Sequence, residues 1–442
     1  MLTKIIKRDG REVAFDRVKI ADAIYKAAQV LGGNDYEMAQ DLAEKVETYV
    51  ENTIQGRIPT VEEVQDAVEH TLIENGHART AKEYILYRAE RTRVREMNTR
   101  LMKTLEDLTF KDAEDNDVKR ENANIDGDTA MGTMLKYGSE SAKQFYEMYV
   151  LNPKHAKAHR EGDIHIHDLD FLTLTTTCCQ IDIIKLFKDG FSTGHGFLRE
   201  PNDIQSYSAL ACIAIQSNQN DQHGGQSIPN FDYGMAIGVA KTYSKLYTKN
   251  LAKAAEILEE EKFKEIKQKI ADETGVKPRL EASEEYCRLE APYLAEIVGE
   301  DAVERLQKFA VKYSEKETDR ATYQAMEALV HNLNTMHSRA GAQVPFSSIN
   351  YGTDTTPEGR MVIRNILLAE DAGLGNGETP IFPIHIFKVK EGVNYNEGDP
   401  NYDLFKLACR VSAKRLFPNF SFLDAPFNLQ YYKPGDYNSE VA

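Results

Sequence analysis

Apolar and polar positions along the first 95 residues set out a small fold before any other property of the chain is considered. Lys4-Ile5-Ile6-Lys7-Arg8-Asp9-Gly10-Arg11-Glu12-Val13-Ala14-Phe15 alternates on either side of an Asp-Gly pair, which predicts a tight β-hairpin. Asp16 is placed to cap a helix with Ile20, Ala21, Ile24, Ala27 and Ala28 on one face. Thr60 is placed to cap another, in which Val61, Val64, Val68 and Leu72 recur at helical spacing. A further helix is predicted from about Thr80 through Tyr84, Tyr87 and Arg88 toward Arg95. A hairpin with a helical bundle is self-sufficient, so residues 1–95 read as a separate module.

Residues 96–128, with Asp112-Ala113-Glu114-Asp115-Asn116-Asp117, are acidic and short of large apolar side chains, which predicts a loosely packed connection. From 129 to 442 buried strands (Ile164–Leu172, Thr175–Ile184, Ile381–Val389) mix with helices, the mark of an α/β body. Period-2 alternation in the first of these puts His165 and His167 on one face, with Ile164 and Ile166 on the other. Between about 244 and 318 the Glu-, Lys- and Ala-rich pattern predicts a peripheral or oligomer-facing layer of helices. The aromatic run from Pro418 to Gly435 reads as core, and a chain stopping at Ala442 without a polar tail reads as a fragment's end.

Composition narrows the function. A chain of 442 residues exceeds one compact core, and a formal charge of −16 leaves no general basic face for nucleic acid. No apolar run is long enough to span a bilayer, and the N-terminus lacks a signal-peptide core, so a soluble, cytoplasmic protein is expected. Five irregularly spaced cysteines (Cys178, Cys179, Cys212, Cys287, Cys409) without a C-x-x-C pair argue against a disulfide framework or a structural metal site.

The chemistry concentrates between Gly162 and Gln226: the His-x-His pair, the adjacent Cys178 and Cys179, and the His223-Gly224-Gly225-Gln226 turn with its open backbone amides. His165 and His167 with Asp168 or Asp170 form a usable metal-ligand set, which keeps a metal-dependent hydrolase open; hydrogen-bonding or structural histidines are the alternatives. In the first module, Lys7, Arg8 and Gly10 with Lys19 and Thr60 are suited to a polyphosphate, with a surface hairpin carrying ordinary solvated lysines as the alternative. Ser338–Phe346 and Gly373–Gly377 are further glycine-containing stretches for phosphate or nucleobase contacts, or simply solvated turns.

In order, Lys7-Arg8-Asp9-Gly10, Phe15-Asp16-Arg17-Val18-Lys19-Ile20, Ile58-Pro59-Thr60-Val61-Glu62-Glu63-Val64 and Tyr84-Ile85-Leu86-Tyr87-Arg88 resemble the ATP-cone, a nucleotide-sensing module. That resemblance implies that Lys7, Arg8, Gly10, Lys19, Thr60 and Arg88 surround ATP or dATP as allosteric effectors. The Gly162–Asp170, Thr177–Asp182 and Gln222–Ser227 stretches, with Pro418-Asn419-Phe420, resemble the first half of an anaerobic (class III) ribonucleoside-triphosphate reductase.

The family implies part of a ten-stranded α/β barrel. It implies thiyl and glycyl radical chemistry started by an S-adenosylmethionine iron–sulfur activase, with formate or a dithiol protein as reductant, a homo-oligomer, and zinc near the C-terminus. It also implies an early-strand cysteine facing the ribose. Cys178 and Cys179 point to opposite faces of a strand, so one serves; Cys178 matches, leaving Cys179 to the core. His165, His167, Gly224, Gly225 and Gln226 become substrate contacts. The family's radical-cysteine loop is expected just past Asn438–Ala442, and its glycyl-radical and zinc segments later still, so this polypeptide is expected to be inactive alone. A nucleotide-binding regulator without catalysis is the remaining alternative.

Overall fold

The alternating N-terminal segment forms a two-stranded antiparallel hairpin, β1 (Lys4–Ile6) and β2 (Glu12–Ala14), pairing Lys4 with Ala14 and Ile6 with Glu12. The computed structural model describes residues 2–8, 10–97, 100–110, 129–172, 176–256, 260–336, 344–431 and 433. The chain divides into two compact units, Met1–Lys111 and Asp112–Ala442.

In the first unit four helices follow the hairpin: α1 (Arg17–Val30), α2 (Tyr36–Thr53), α3 (Val61–Glu74) and α4 (Ala78–Met97). Asp16 caps α1 by accepting from Val18 N, and Thr60 caps α3 in a reciprocal capping box with Glu63. Ile20, Ile24, Val64, Val68, Leu72 and Tyr84 meet in one core, because their spacings put them on inward faces. Ile6 N donates to Pro59 O at 2.9 Å, tying the hairpin to the start of α3. A fifth helix, α5 (Arg100–Phe110), replaces part of the connection expected over 96–128; its Leu108 is buried. Residues 111–128 lie outside the described ones.

The second unit begins with α6 (Ala130–Phe145) and α7 (Pro153–Glu161). Next come β3 (Cys179–Gln180), α8 (Ile183–Phe187), the β4 (Phe191–Ser192) and β5 (Phe197–Leu198) hairpin, α9 (Ile204–Asn218) and β6 (Gln226–Ile228). Four longer helices follow: α10 (Phe231–Ala254), α11 (Glu261–Thr274), α12 (Ser283–Val298) and α13 (Glu300–Thr335). The remainder is β7 (Ser347–Tyr351), α14 (Pro357–Ala372), β8 (Ile384–Val389), α15 (Tyr402–Arg415), β9 (Asn419–Phe422) and α16 (Pro426–Leu429). Among the described residues strands β3-β6-β7-β8-β9 make one parallel sheet in that order, giving an α/β body consistent with part of a barrel.

Ile228, Ile349, Tyr351, Phe387 and Val389 turn one sheet face onto α9, α10, α13, α14 and α15, burying the main core. The second halves of α10 and α13's first half, with α11 and α12, enclose a separate core around Tyr243, Tyr247, Phe263, Tyr286 and Leu306. This is the helical layer expected over 244–318.

Three expectations fail. Ile164–Leu172 is no strand: Gly162 ends α7 at φ 83°, Asp168 turns the chain at φ 48°, and Leu169–Phe171 is a 3₁₀ turn. Two left-handed residues in seven break any ladder, whatever the alternation. The strand expected over Thr175–Ile184 shrinks to Cys179–Gln180, because Asp182 accepts from the backbone N–H groups of Ile184 and Lys185 and starts α8. In the C-terminal aromatic run Leu423 is buried, but Phe422, Phe427 and Tyr431 are more than half exposed.

Candidate functional site

In the first unit, Lys7, Arg8 and Lys19 line a cavity of about 620 Å³ whose apolar walls include Phe15, Val61, Val68 and Tyr84. The hairpin places Lys7 and Arg8, and α1 places Lys19 one turn past its cap. Arg8 pairs with Glu62 through Nε and, at 2.9 Å, through Nη2, which holds the Glu62 carboxyl below its usual range. Burial raises the Tyr84 hydroxyl to about 12, so it stays a neutral donor.

The other expected residues stand beside the cavity. Gly10 supplies a φ of 79° in the hairpin loop. The Thr60 hydroxyl is taken up by capping, accepting from Glu63 N at 3.3 Å. Arg88 donates to Asp66 at 2.6 Å, Glu69 at 2.7 Å and Glu62 at 3.1 Å. Burial opposes its charge, and these carboxylates outweigh burial and raise its pKa.

In the second unit the cysteine pair meets the glycine turn. Cys179 N donates to Gly225 O at 3.1 Å, and Gly225 N lies 3.4 Å from the Cys178 Sγ. A Cβ on Gly224, at φ 89°, would sit 3.0 Å from that sulfur, so the turn requires glycine there. The two thiols have different surroundings. Cys179 faces α9, accepts from Asn218 Nδ2 at 2.9 Å, and has its pKa raised by burial against that hydrogen bond. Cys178 is exposed.

Gln226, expected at the substrate, is buried in the body. Register pairs it with Cys179, so it too points at α9, where its amide accepts from Asn218 at 2.8 Å and donates to Ile215 O at 3.0 Å. Both ends are spent on holding β6 to the helix.

His165 and His167 are not two rings on a strand face. They lie exposed on the turn after α7, with His165 Nε2 3.4 Å from His167 Nδ1. The Asp168 carboxylate lies 3.6 Å from both His167 Nε2 and His223 Nε2, and the buried His223 stacks on Phe171 with ring centres 4.8 Å apart. His223, adjacent to Gly224, is the histidine that reaches the thiol turn. Among the described residues no three His, Cys, Asp or Glu side chains gather as a metal shell. The Gly373–Gly377 turn is filled by Arg415, which donates to Asp371 O, Ala372 O and Gly377 O, so its glycines serve backbone packing. Residues 337–343 of the other glycine-containing stretch lie outside the described residues.

The family model for "Anaerobic ribonucleoside-triphosphate reductase" matches residues 121–441, and that for the "ATP cone domain" matches residues 3–93. The chain belongs to the anaerobic ribonucleoside-triphosphate reductases. The reductases of that name from Salmonella typhimurium and Escherichia coli are each 28% identical over 95% of this chain. That of Enterobacteria phage T4 is 29% identical over 69% of it. The chain spans about half the length of the two bacterial relatives, 51% of each. The anaerobic ribonucleotide reductase from Thermotoga maritima in complex with dATP and CTP is a loose structural neighbour. Its TM-score is 0.41 at 11% identity, covering 68% of this chain and 44% of that one.

The reductase body also holds buried polar groups that periodicity did not expose. Asp232, at the start of α10, accepts with one carboxylate oxygen from the backbone N–H groups of Gly352, Thr353 and Asp354 at 2.8, 3.1 and 3.1 Å. Burial first, and the Asp232 charge second, lift Asp354 to about 6. Lys388, fully buried, donates to Pro229 O at 3.3 Å and sits over the Tyr233 ring. His385 Nδ1 shares a 2.9 Å hydrogen bond with the Tyr351 hydroxyl and its Nε2 faces Glu370 at 3.4 Å; burial lowers His385 to about 3 and raises Glu370 to about 7. Burial thus favours the neutral pair. A lone acid in Asn230-Phe231-Asp232 gives no hint of partners some 120 residues away. Among the described residues no helix is long and apolar enough to cross a membrane.

Proposed function

We propose that this chain supplies the effector site and one thiol wall for the anaerobic reduction of ribonucleoside triphosphates to deoxyribonucleoside triphosphates. The observation that carries the reading is Cys178, exposed and seated against the Gly224–Gly225 turn, in a chain of this family. A thiol donates hydrogen readily because its S–H bond is weak, and glycine amides bring polar backbone to the same spot without side chains in the way. Cys178 is therefore assigned to reduction at the ribose 2′ position, and Cys179 to packing against α9. Glycyl radical chemistry, started by the activase, supplies the unpaired electron. No cysteine of this chain is assigned the hydrogen-abstracting role. His223 and Asp168 position the turn, while His165 and His167 remain available to substrate.

ATP or dATP binds the first unit. The cavity fits the group: apolar walls for a purine and Lys7, Arg8 and Lys19 for phosphates. A cytoplasmic homo-oligomer with formate or a dithiol protein as reductant completes the proposal. Calorimetry with dATP tests the effector site. Micromolar-scale affinity, about −8 kcal/mol, is expected for the wild type. Lys7→Ala is expected to weaken it about tenfold. Equal affinity in the two proteins would remove the phosphate assignment.

A further inference from the structure

The arginines at the effector cavity are already occupied. On α3, Glu62, Asp66 and Glu69 fall four and three residues apart and so share one helix face. Glu62 joins both guanidinium groups: its Oε2 accepts from Arg8 Nη2 at 2.9 Å and from Arg88 Nη2 at 3.1 Å, while Oε1 meets Arg8 Nε. Asp66 and Glu69 take the other arm of Arg88. Three carboxylates thus surround two guanidiniums, and the set is net negative where a polyphosphate must arrive. Arg8 lines the cavity itself.

We infer that Glu62 is an internal competitor for the nucleotide's phosphates: it holds the Nε/Nη2 edge of Arg8 at the cavity and must give it up when an effector's phosphates engage that edge. This rests on the effector reading above. A carboxylate and a phosphate present a guanidinium with the same fork of acceptor oxygens, so the two compete for the Nε/Nη2 edge of Arg8 that Glu62 holds. The exchange leaves Glu62 with Arg88 alone. The helix carrying Arg88, α4, therefore feels occupancy of a cavity that Arg88 does not line. Glu62 lowers affinity for every phosphorylated ligand and leaves nucleoside binding unaffected.

The test uses the whole 442-residue chain, titrated calorimetrically with dATP and with deoxyadenosine, in wild type, Glu62→Gln and Glu69→Gln, with circular dichroism confirming folding. Glu62→Gln should bind dATP about fivefold more tightly, the scale of a partly exposed bidentate pair. Deoxyadenosine affinity should not move, and Glu69→Gln, which touches Arg88 only, should change dATP binding by less than about twofold. Unchanged or weaker dATP binding by Glu62→Gln overturns the inference and leaves the effector site standing. Equal tightening of dATP and deoxyadenosine also overturns it, since the carboxylate would then be shaping the purine pocket. Binding by Glu62→Gln alone supports it, and absence of dATP binding in every protein removes both readings.

Discussion

Replacing Asp232 by alanine should loosen the reductase body more than any comparable change at the surface. Its carboxylate oxygen is the acceptor for three buried backbone donors, those of Gly352, Thr353 and Asp354, where the chain leaves β7. The side chain is fully buried, so water has no direct route to those donors when it is removed. Each buried donor left without a partner costs about 1–3 kcal/mol, and partial relaxation brings the total to about 4 kcal/mol. Asp232→Asn keeps an acceptor oxygen and loses its charge, so about half of that loss is expected. The chain has no tryptophan, so urea unfolding is followed by far-ultraviolet circular dichroism. A loss below about 1 kcal/mol in the alanine variant, with asparagine indistinguishable from wild type, would refute the argument that this carboxylate anchors the β7 loop.

Three further outcomes follow. Glu370 has its pKa raised by burial to about 7, so the stability of its neutral form is full below about 4.5 and is lost as pH rises through 7. Glu370→Gln should therefore match wild type near pH 4 and exceed it by about 3 kcal/mol at pH 8 in urea melts; a pH-independent difference would sink that account. Gly224→Ala forces a Cβ to 3.0 Å from the Cys178 sulfur at a positive φ. It should cost about 1–3 kcal/mol and alter the alkylation rate of Cys178 measured by peptide mapping, whereas Gly225→Ala, with open space at its Cβ, should do neither. In a full-length reductase carrying these residues, Cys178→Ala should abolish deoxynucleotide formation with dATP affinity intact, and retained activity would move the assignment to Cys179.

Much of the first unit was legible in its sequence, because local rules governed it, although α2 (Tyr36–Thr53) and α5 (Arg100–Phe110) were not among the expected helices. The Asp9-Gly10 pair marked the hairpin loop, Asp16 and Thr60 capped the helices that follow them, and Val64, Val68 and Leu72 turned inward at their spacing. The ordered motifs of both units also carried the family, since they depend on residue identity alone. What the sequence could not hold was orientation and partnership in the body. The alternation in Ile164–Leu172 suggested a strand that Gly162 and Asp168, both at positive φ, do not permit. In a strand of two residues, which thiol faces α9 depends on register with β6; the same register sent Gln226 to Asn218 and Ile215 and away from the substrate wall. Asp232, His385 and Glu370 gained their roles only when segments distant in sequence closed over them and removed water. Alternation and capping act between near neighbours along the chain, whereas the burial that sets a proton affinity or gives a carboxylate three donors exists only once the layers have packed.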